Sequence, residues 1–303
     1  MRALVISGGG SKGAYAGGVA EYLIQKQNRS YDIYVGSSTG SLLLPHLAIG
    51  EIDTLHNIYT NVNQNDIFSL NPFVIRKKDN REYVTINYLT TVLQFVKKKR
   101  TFGESKNLRK LIRKTITKEV YEEAKNVATD LVITVSNFTK NEIEYKSIKE
   151  CNYEEFCDWL WISCNYVPFM SLVTRDDCEY GDGGFGAVVP VREAIRRGAT
   201  DVDVIILESE NMENNKVLGK NPFSLIVNLL GFLSDQIEQS NIVEGKLSAL
   251  NKNVTLNLYY TPSKLTENSL VFDKKLMTNW WKQGYKYAEY REHQQKNIKE
   301  MVR

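Results

Sequence analysis

Hydrophobic and polar positions along this chain change their period several times, and each change marks an element. Arg2–Ser7 carries a continuous apolar run, Ala3-Leu4-Val5-Ile6, with the length of a buried strand. Ala14–Lys26 places Tyr15, Val19, Tyr22 and Leu23 on one helical face. Tyr31–Val35 predicts a second strand, and Ser41–Ile49 begins a second helix. This β-α-β-α opening predicts a mostly parallel sheet. Residues 50–125 read differently. They are rich in Asn, Lys, Thr and Tyr, with amphipathic stretches at Leu89–Val96 and Leu108–Ile116 and little strand signal, which predicts a helical insertion between sheet strands.

Strand pattern returns at Asp130–Ser136 and Glu142–Ile148, followed by a helix at Tyr153–Ser163. A helix at Val191–Arg197 precedes a buried strand at Asp203–Leu207. Pro222–Leu250 is a long helical segment, Asn253–Tyr260 alternates like a strand, and Met277–Val302 reads as a terminal helix. Neither an internal repeat nor a low-complexity linker interrupts the chain. The expectation is one α/β domain over residues 1–303, with a central, mostly parallel sheet flanked by helices. Its helical insertion spans about 50–125 and its helical C-terminal part about 222–303.

Composition narrows the classes. Of 303 residues, 42% are hydrophobic and 25% charged, the balance of a globular protein. A net charge of +3 is too small to argue for nucleic acid. No apolar run reaches membrane-spanning length. Because the first strand and its glycines follow Met1-Arg2 directly, no cleavable signal is expected, and a cytoplasmic protein, peripheral at membranes, is the expectation. Cys151, Cys157, Cys164 and Cys178 fit no zinc spacing and are expected to be buried thiols.

Three glycine-marked sites carry chemistry. Gly36-Ser37-Ser38-Thr39-Gly40 matches G-x-S-x-G between a strand and a helix, the context that motif requires. Gly36 and Gly40 remove side chains that would clash in so tight a turn, and the turn lifts the Ser38 hydroxyl above the sheet at a helix N-terminus. A plain turn of small residues is the alternative. Gly8-Gly9-Gly10-Ser11-Lys12-Gly13 joins the first strand to the first helix and can aim backbone N–H groups into one concavity. Gly8, Gly10 and Gly13 also meet the dinucleotide spacing, but no acidic residue ends the second strand to hold a ribose. An oxyanion hole beside a nucleophile at the neighbouring strand tip unites the two sites. Tyr180-Gly181-Asp182-Gly183-Gly184 is either an ordinary Asp-Gly turn or an acid held at a bend.

A serine triad normally uses histidine as base. His46 lies about two turns along the helix that starts at Ser38, His56 falls in the insertion and His293 in a charged terminal helix. A carboxylate is the better candidate. No ligand-spaced cluster argues for a metal, and no cofactor is expected.

Taken in order, Gly8–Gly13, Gly36–Gly40 and Asp182-Gly183-Gly184 resemble the patatin-like phospholipases. Ser163–Pro168 resembles, in diverged form, that family's small-residue and proline segment, and Pro190 the proline beyond its acidic motif. The resemblance covers about residues 1–50 and 128–208. It implies an α/β sheet and a Ser-Asp dyad that hydrolyses acyl esters of phospholipids, lysophospholipids or neutral lipids. Ser38 would be the nucleophile and Asp182 the base. Gly8, Gly9 and Gly10 would form the oxyanion hole, with Lys12 in the basic position beside it. Many members carry an Asn between the acidic motif and the proline, which this chain lacks. The competing readings are a catalytically silent lipid- or partner-binding module, an acyltransferase, and a nucleotide-binding enzyme. A membrane-facing surface is expected from the apolar Pro222–Leu233 and the basic run Lys97-Lys98-Lys99-Arg100.

Overall fold

Two apolar runs, one over Ala3–Ile6 and one over Ile33–Val35, lie side by side at the centre of the fold. The computed structural model describes residues 1–78, 81–210 and 222–301. Val302, expected in the last helix, lies outside the described residues, as does the side chain of Phe223.

In chain order the first elements are β1 (Arg2–Ile6), α1 (Gly13–Glu21), β2 (Ile33–Ser37), α2 (Thr39–Ala48), α3 (Ile52–Asn61) and α4 (Gln64–Ile67). There follow β3 (Phe73–Lys78), β4 (Arg81–Ile86), α5 (Tyr88–Val96), α6 (Lys106–Thr115), α7 (Lys118–Val127), β5 (Asp130–Asn137), β6 (Glu142–Ser147) and α8 (Tyr153–Ser163). The remainder is β7 (Val173–Arg175), β8 (Cys178–Asp182), α9 (Val191–Arg196), β9 (Asp201–Ser209), α10 (Pro222–Lys252), β10 (Thr255–Thr261) and α11 (Lys274–Met301).

The main sheet runs β10-β9-β1-β2-β5-β8-β7, with β6 on β5. The first five are mutually parallel, while β6, β8 and β7 pair antiparallel. This is the expected mostly parallel α/β sheet. Alternation along β1 builds two cores. Leu4 and Ile6 join Tyr15 and Val19 of α1, and Leu23 in the turn that follows it, on one face. Ala3 and Val5 join Val191, Ala194 and Ile195 on the other. Each fully buried Leu or Ile contributes roughly 1.5–3 kcal/mol.

The last third is tied to this frame. α11 lies on α1, where a methyl group at Gly17 would stand 2.1 Å from the Trp281 ring. Arg29 bridges Asp203 of β9 and Glu292 of α11 at 2.7 and 2.9 Å. Two local expectations change. The second strand starts at Ile33, because the Tyr31 hydroxyl turns to donate to Asp203 at 2.7 Å. The 50–125 region contains an antiparallel hairpin, β3–β4, among its helices.

Candidate active site

The elbow after β2 holds Ser38 at φ 53° and ψ −128°, a strained conformation for a residue with a side chain. Its surroundings leave no room for larger neighbours. A methyl group at Gly36 would lie 2.6 Å from the Ser41 nitrogen, and one at Gly40 would lie 2.3 Å from the Ile6 carbonyl oxygen. The elbow is clamped from α8. Ser163 Oγ accepts from Ser38 N at 3.0 Å and donates to the Thr134 carbonyl at 2.7 Å.

Sheet register brings the acid to the serine. β2 pairs with β5 up to Ser37 opposite Thr134. β6 occupies the other edge of β5, so β8 continues the edge that β2 leaves. Running the opposite way, β8 ends with Asp182 opposite Val135. Adjacent residues of one strand thus hold Ser37 and Asp182. The sequence suggested a turn at Tyr180–Gly184. The structure instead has a strand through Asp182, with the bend beginning at Gly183.

Asp182 Oδ2 accepts from Ser38 Oγ at 2.6 Å, and Oδ1 accepts from Gly184 N at 2.8 Å. The carboxyl is buried. Burial pushes its pKa up to about 7, against the opposing pull of the hydrogen bonds from Ser38 and Gly184. Neither group hydrogen-bonds a histidine among the described residues. His46 is buried and bonded through Nδ1 to Glu51 at 3.3 Å, its pKa lowered by burial. His56 meets Trp281 edge-on, and His293 is exposed on α11.

The glycine loop lies against the same hydroxyl. A methyl group at Gly8 would stand 3.3 Å from Ser38 Cβ. The Gly8 N–H, expected among the oxyanion donors, already donates to the Val188 carbonyl at 3.0 Å. That bond holds the loop to the segment after Asp182 and removes Gly8 from the free donors. The Gly9 and Gly10 N–H groups have no acceptor among the described residues. Gly10 sits at φ +55°, a conformation that suits glycine, and a methyl there would lie 2.2 Å from the Ser269 carbonyl oxygen. Lys12 is buried and paired with Glu208 at the end of β9.

Ser38, Asp182, Gly8, Gly9, Gly10 and Lys12 all line one cavity of about 960 Å³. That lies at the upper end of the ~300–1,000 Å³ of small-molecule sites. Its walls are largely apolar, with Phe73, Leu108, Ile112 and Phe169 among them, so the 50–125 region supplies much of the lining. The lining also carries a group of interacting charges, Lys12, Glu208, Asp235, Glu238 and Lys264.

The sequence model of the patatin-like phospholipases matches residues 4–195. This chain belongs to that family. Lipid acyl hydrolysis is the general activity of the patatin-like family. No curated protein matches the chain by sequence. Among solved structures, the crystal structure of VipD from Legionella pneumophila is similar, at 14% identity and a TM-score of 0.49. The similarity covers 95% of this chain and 66% of that one.

Several residues of this patatin-like site were not singled out from sequence. In the sequence Ser163 is only part of a diverged segment, with no sign of its role in the clamp. Glu208, Asp235 and Glu238 come together only through the packing of α10 beside the end of β9, and no spacing in the sequence announces that. Burial, then the neighbouring Glu208, pushes Glu238 up to about 8, and Lys12 opposes the shift. Asp235 is raised for the same two reasons.

Proposed function

We propose that the protein hydrolyses acyl esters of phospholipids or lysophospholipids through a Ser38–Asp182 dyad. The observation that carries this reading is the 2.6 Å hydrogen bond from the Ser38 hydroxyl to a buried carboxylate inside a large apolar cavity. Ser38 Oγ attacks the ester carbonyl while Asp182 Oδ2 takes its proton. The oxyanion is held by the N–H groups of Gly9 and Gly10, aided by the N-terminus of α2. Collapse breaks the C–O bond to the alcohol, which leaves with the proton from Asp182. The acyl group remains on Ser38. A water then gives its proton to Asp182 and attacks the acyl-enzyme. Fatty acid departs, and the proton returns to Ser38.

The apolar walls suit an acyl chain, and the group of mixed charges suits a polar head group rather than a further acyl chain. Asp182 must be ionised to act as base. Its carboxyl titrates near 7, so log kcat/KM should rise with pH below about 7 and level off above it. The test is fatty-acid release from defined phospholipids and lysophospholipids by purified protein between pH 5 and 9. Release that follows this profile supports the reading. Release from no phospholipid or lysophospholipid at any pH removes the substrate assignment, and turnover undiminished at pH 5 removes Asp182 as base.

A further inference from the structure

Helix α5 is built inside out. Its polar Thr91 and Gln94 are buried at 1% and 6% exposure, while Leu89 and Val96 are 80% and 74% exposed. Val92, Leu93 and Phe95 are exposed beside them. The sequence period finds an amphipathic helix here, yet the structure turns its apolar face to solvent. Such a face is a liability in water and marks a surface that something else covers. Directly after the helix comes Lys97-Lys98-Lys99-Arg100, all exposed. Arg100 pairs with Glu179, and Lys99 stands 3.8 Å from Glu104. Lys97 and Lys98 have no acidic partner among the described residues.

A second apolar surface belongs to α10. There Val227 and Leu230 line the cavity while Leu225, Leu229, Phe232 and Leu233 are exposed. α5 also reaches the cavity, through Tyr88 at its start. Both outward faces therefore belong to helices that wall the same cavity.

We propose that α5, with Lys97 and Lys98, docks this protein on an anionic lipid bilayer. The helix lies in the interface with Leu89, Val92, Leu93, Phe95 and Val96 among the acyl chains. The two lysines stand at the level of the phosphates. Charge complementarity selects a lipid surface over a protein groove, because cations follow the apolar face without intervening acids. The proposal rests on the lipid-hydrolase reading only for its purpose, since docking itself requires no turnover.

Flotation with vesicles tests it, using full-length protein carrying Ser38→Ala so that the lipid stays intact. Binding to vesicles of phosphatidylglycerol and phosphatidylcholine should be at least tenfold stronger than to phosphatidylcholine alone, and should weaken as salt rises. The combined changes Leu89→Ser, Val92→Ser, Leu93→Ser and Phe95→Ser should reduce binding more than tenfold while the melting temperature is unchanged or higher. Lys97→Ser with Lys98→Ser should abolish the preference for anionic vesicles. In a separate variant, Phe95→Trp should give indole emission that shifts to the blue on adding vesicles and is quenched by brominated lipid.

Failure of vesicle binding, binding indifferent to all these changes, or self-association of the protein that the serine changes abolish would each overturn the proposal. Turnover of a soluble short-chain ester separates the two readings. A protein that binds vesicles but hydrolyses no ester keeps the docking surface and loses the hydrolase. One that hydrolyses the soluble ester but ignores vesicles loses only the docking surface.

Discussion

Ser38→Ala is expected to lower ester turnover by roughly a thousandfold to a millionfold, the range in which loss of a covalent nucleophile falls. The fold should persist, because the change removes one hydroxyl whose hydrogen-bond acceptor is Asp182. Ser37 is the internal control. Its Oγ is fully buried, has no hydrogen-bond partner among the described residues and does not line the cavity. Ser37→Ala should therefore leave turnover within a few-fold of the parent. Initial rates on a p-nitrophenyl ester, with circular dichroism to check folding, measure both. A Ser38→Ala protein that keeps near-parental turnover would remove Ser38 from the mechanism.

Asp182→Asn should cost nearly as much as Ser38→Ala, and the double variant should lose little more, because nucleophile and base act as one unit. The amide oxygen can still accept from Gly184 and the amide N–H can donate to the Ser38 hydroxyl, so the local geometry has no reason to collapse. Stability adds an independent readout. The folded pKa of Asp182 is raised to about 7 from an ordinary value near 3.8. A carboxyl with a raised pKa is most favourable to folding below its unfolded pKa. Its contribution is lost as pH rises towards the folded pKa. Parent protein should therefore lose stability between about pH 4 and pH 7 from this group, by an amount on the order of a few kcal/mol. Asp182→Asn should melt several degrees higher than the parent at pH 8 and show little gain at pH 4. Losses that simply add in the double variant, with a melting temperature lowered at pH 8, would assign Asp182 a structural role instead.

The serine elbow was legible because its demands are local. Gly36 and Gly40 must be small, and the strand before and helix after them have clear apolar periods. Asp182 was legible as an acid among glycines, but its strand was not. Cys178–Asp182 is five residues long and includes Gly181 and Asp182, both poor strand formers, so only pairing with β5 makes it a strand. The β3–β4 hairpin is hidden in the sequence for a similar reason. Its β-branched positions, Val74, Ile75, Val84, Thr85 and Ile86, are separated by a polar stretch that dominates the composition. Gly8 shows another limit. Three consecutive glycines reveal that backbone amides are accessible, and only the fold reveals that Val188 occupies one of them. In α5 the period located a helix with two faces. Which face turns outward is decided by neighbours far along the chain, and Thr91 and Gln94 went inward.

Covalent labelling tests the central claim most directly, since it needs no knowledge of the natural substrate. An alkyl fluorophosphonate reacts with a serine only when a base activates its hydroxyl and an oxyanion site accepts the phosphoryl oxygen. Intact-mass analysis and peptide mapping of the labelled protein should find one adduct, on Ser38. The adduct should be absent in Ser38→Ala and slowed by orders of magnitude in Asp182→Asn. No adduct, or one carried by another residue and retained in Ser38→Ala, would contradict Ser38 as a nucleophile activated by Asp182.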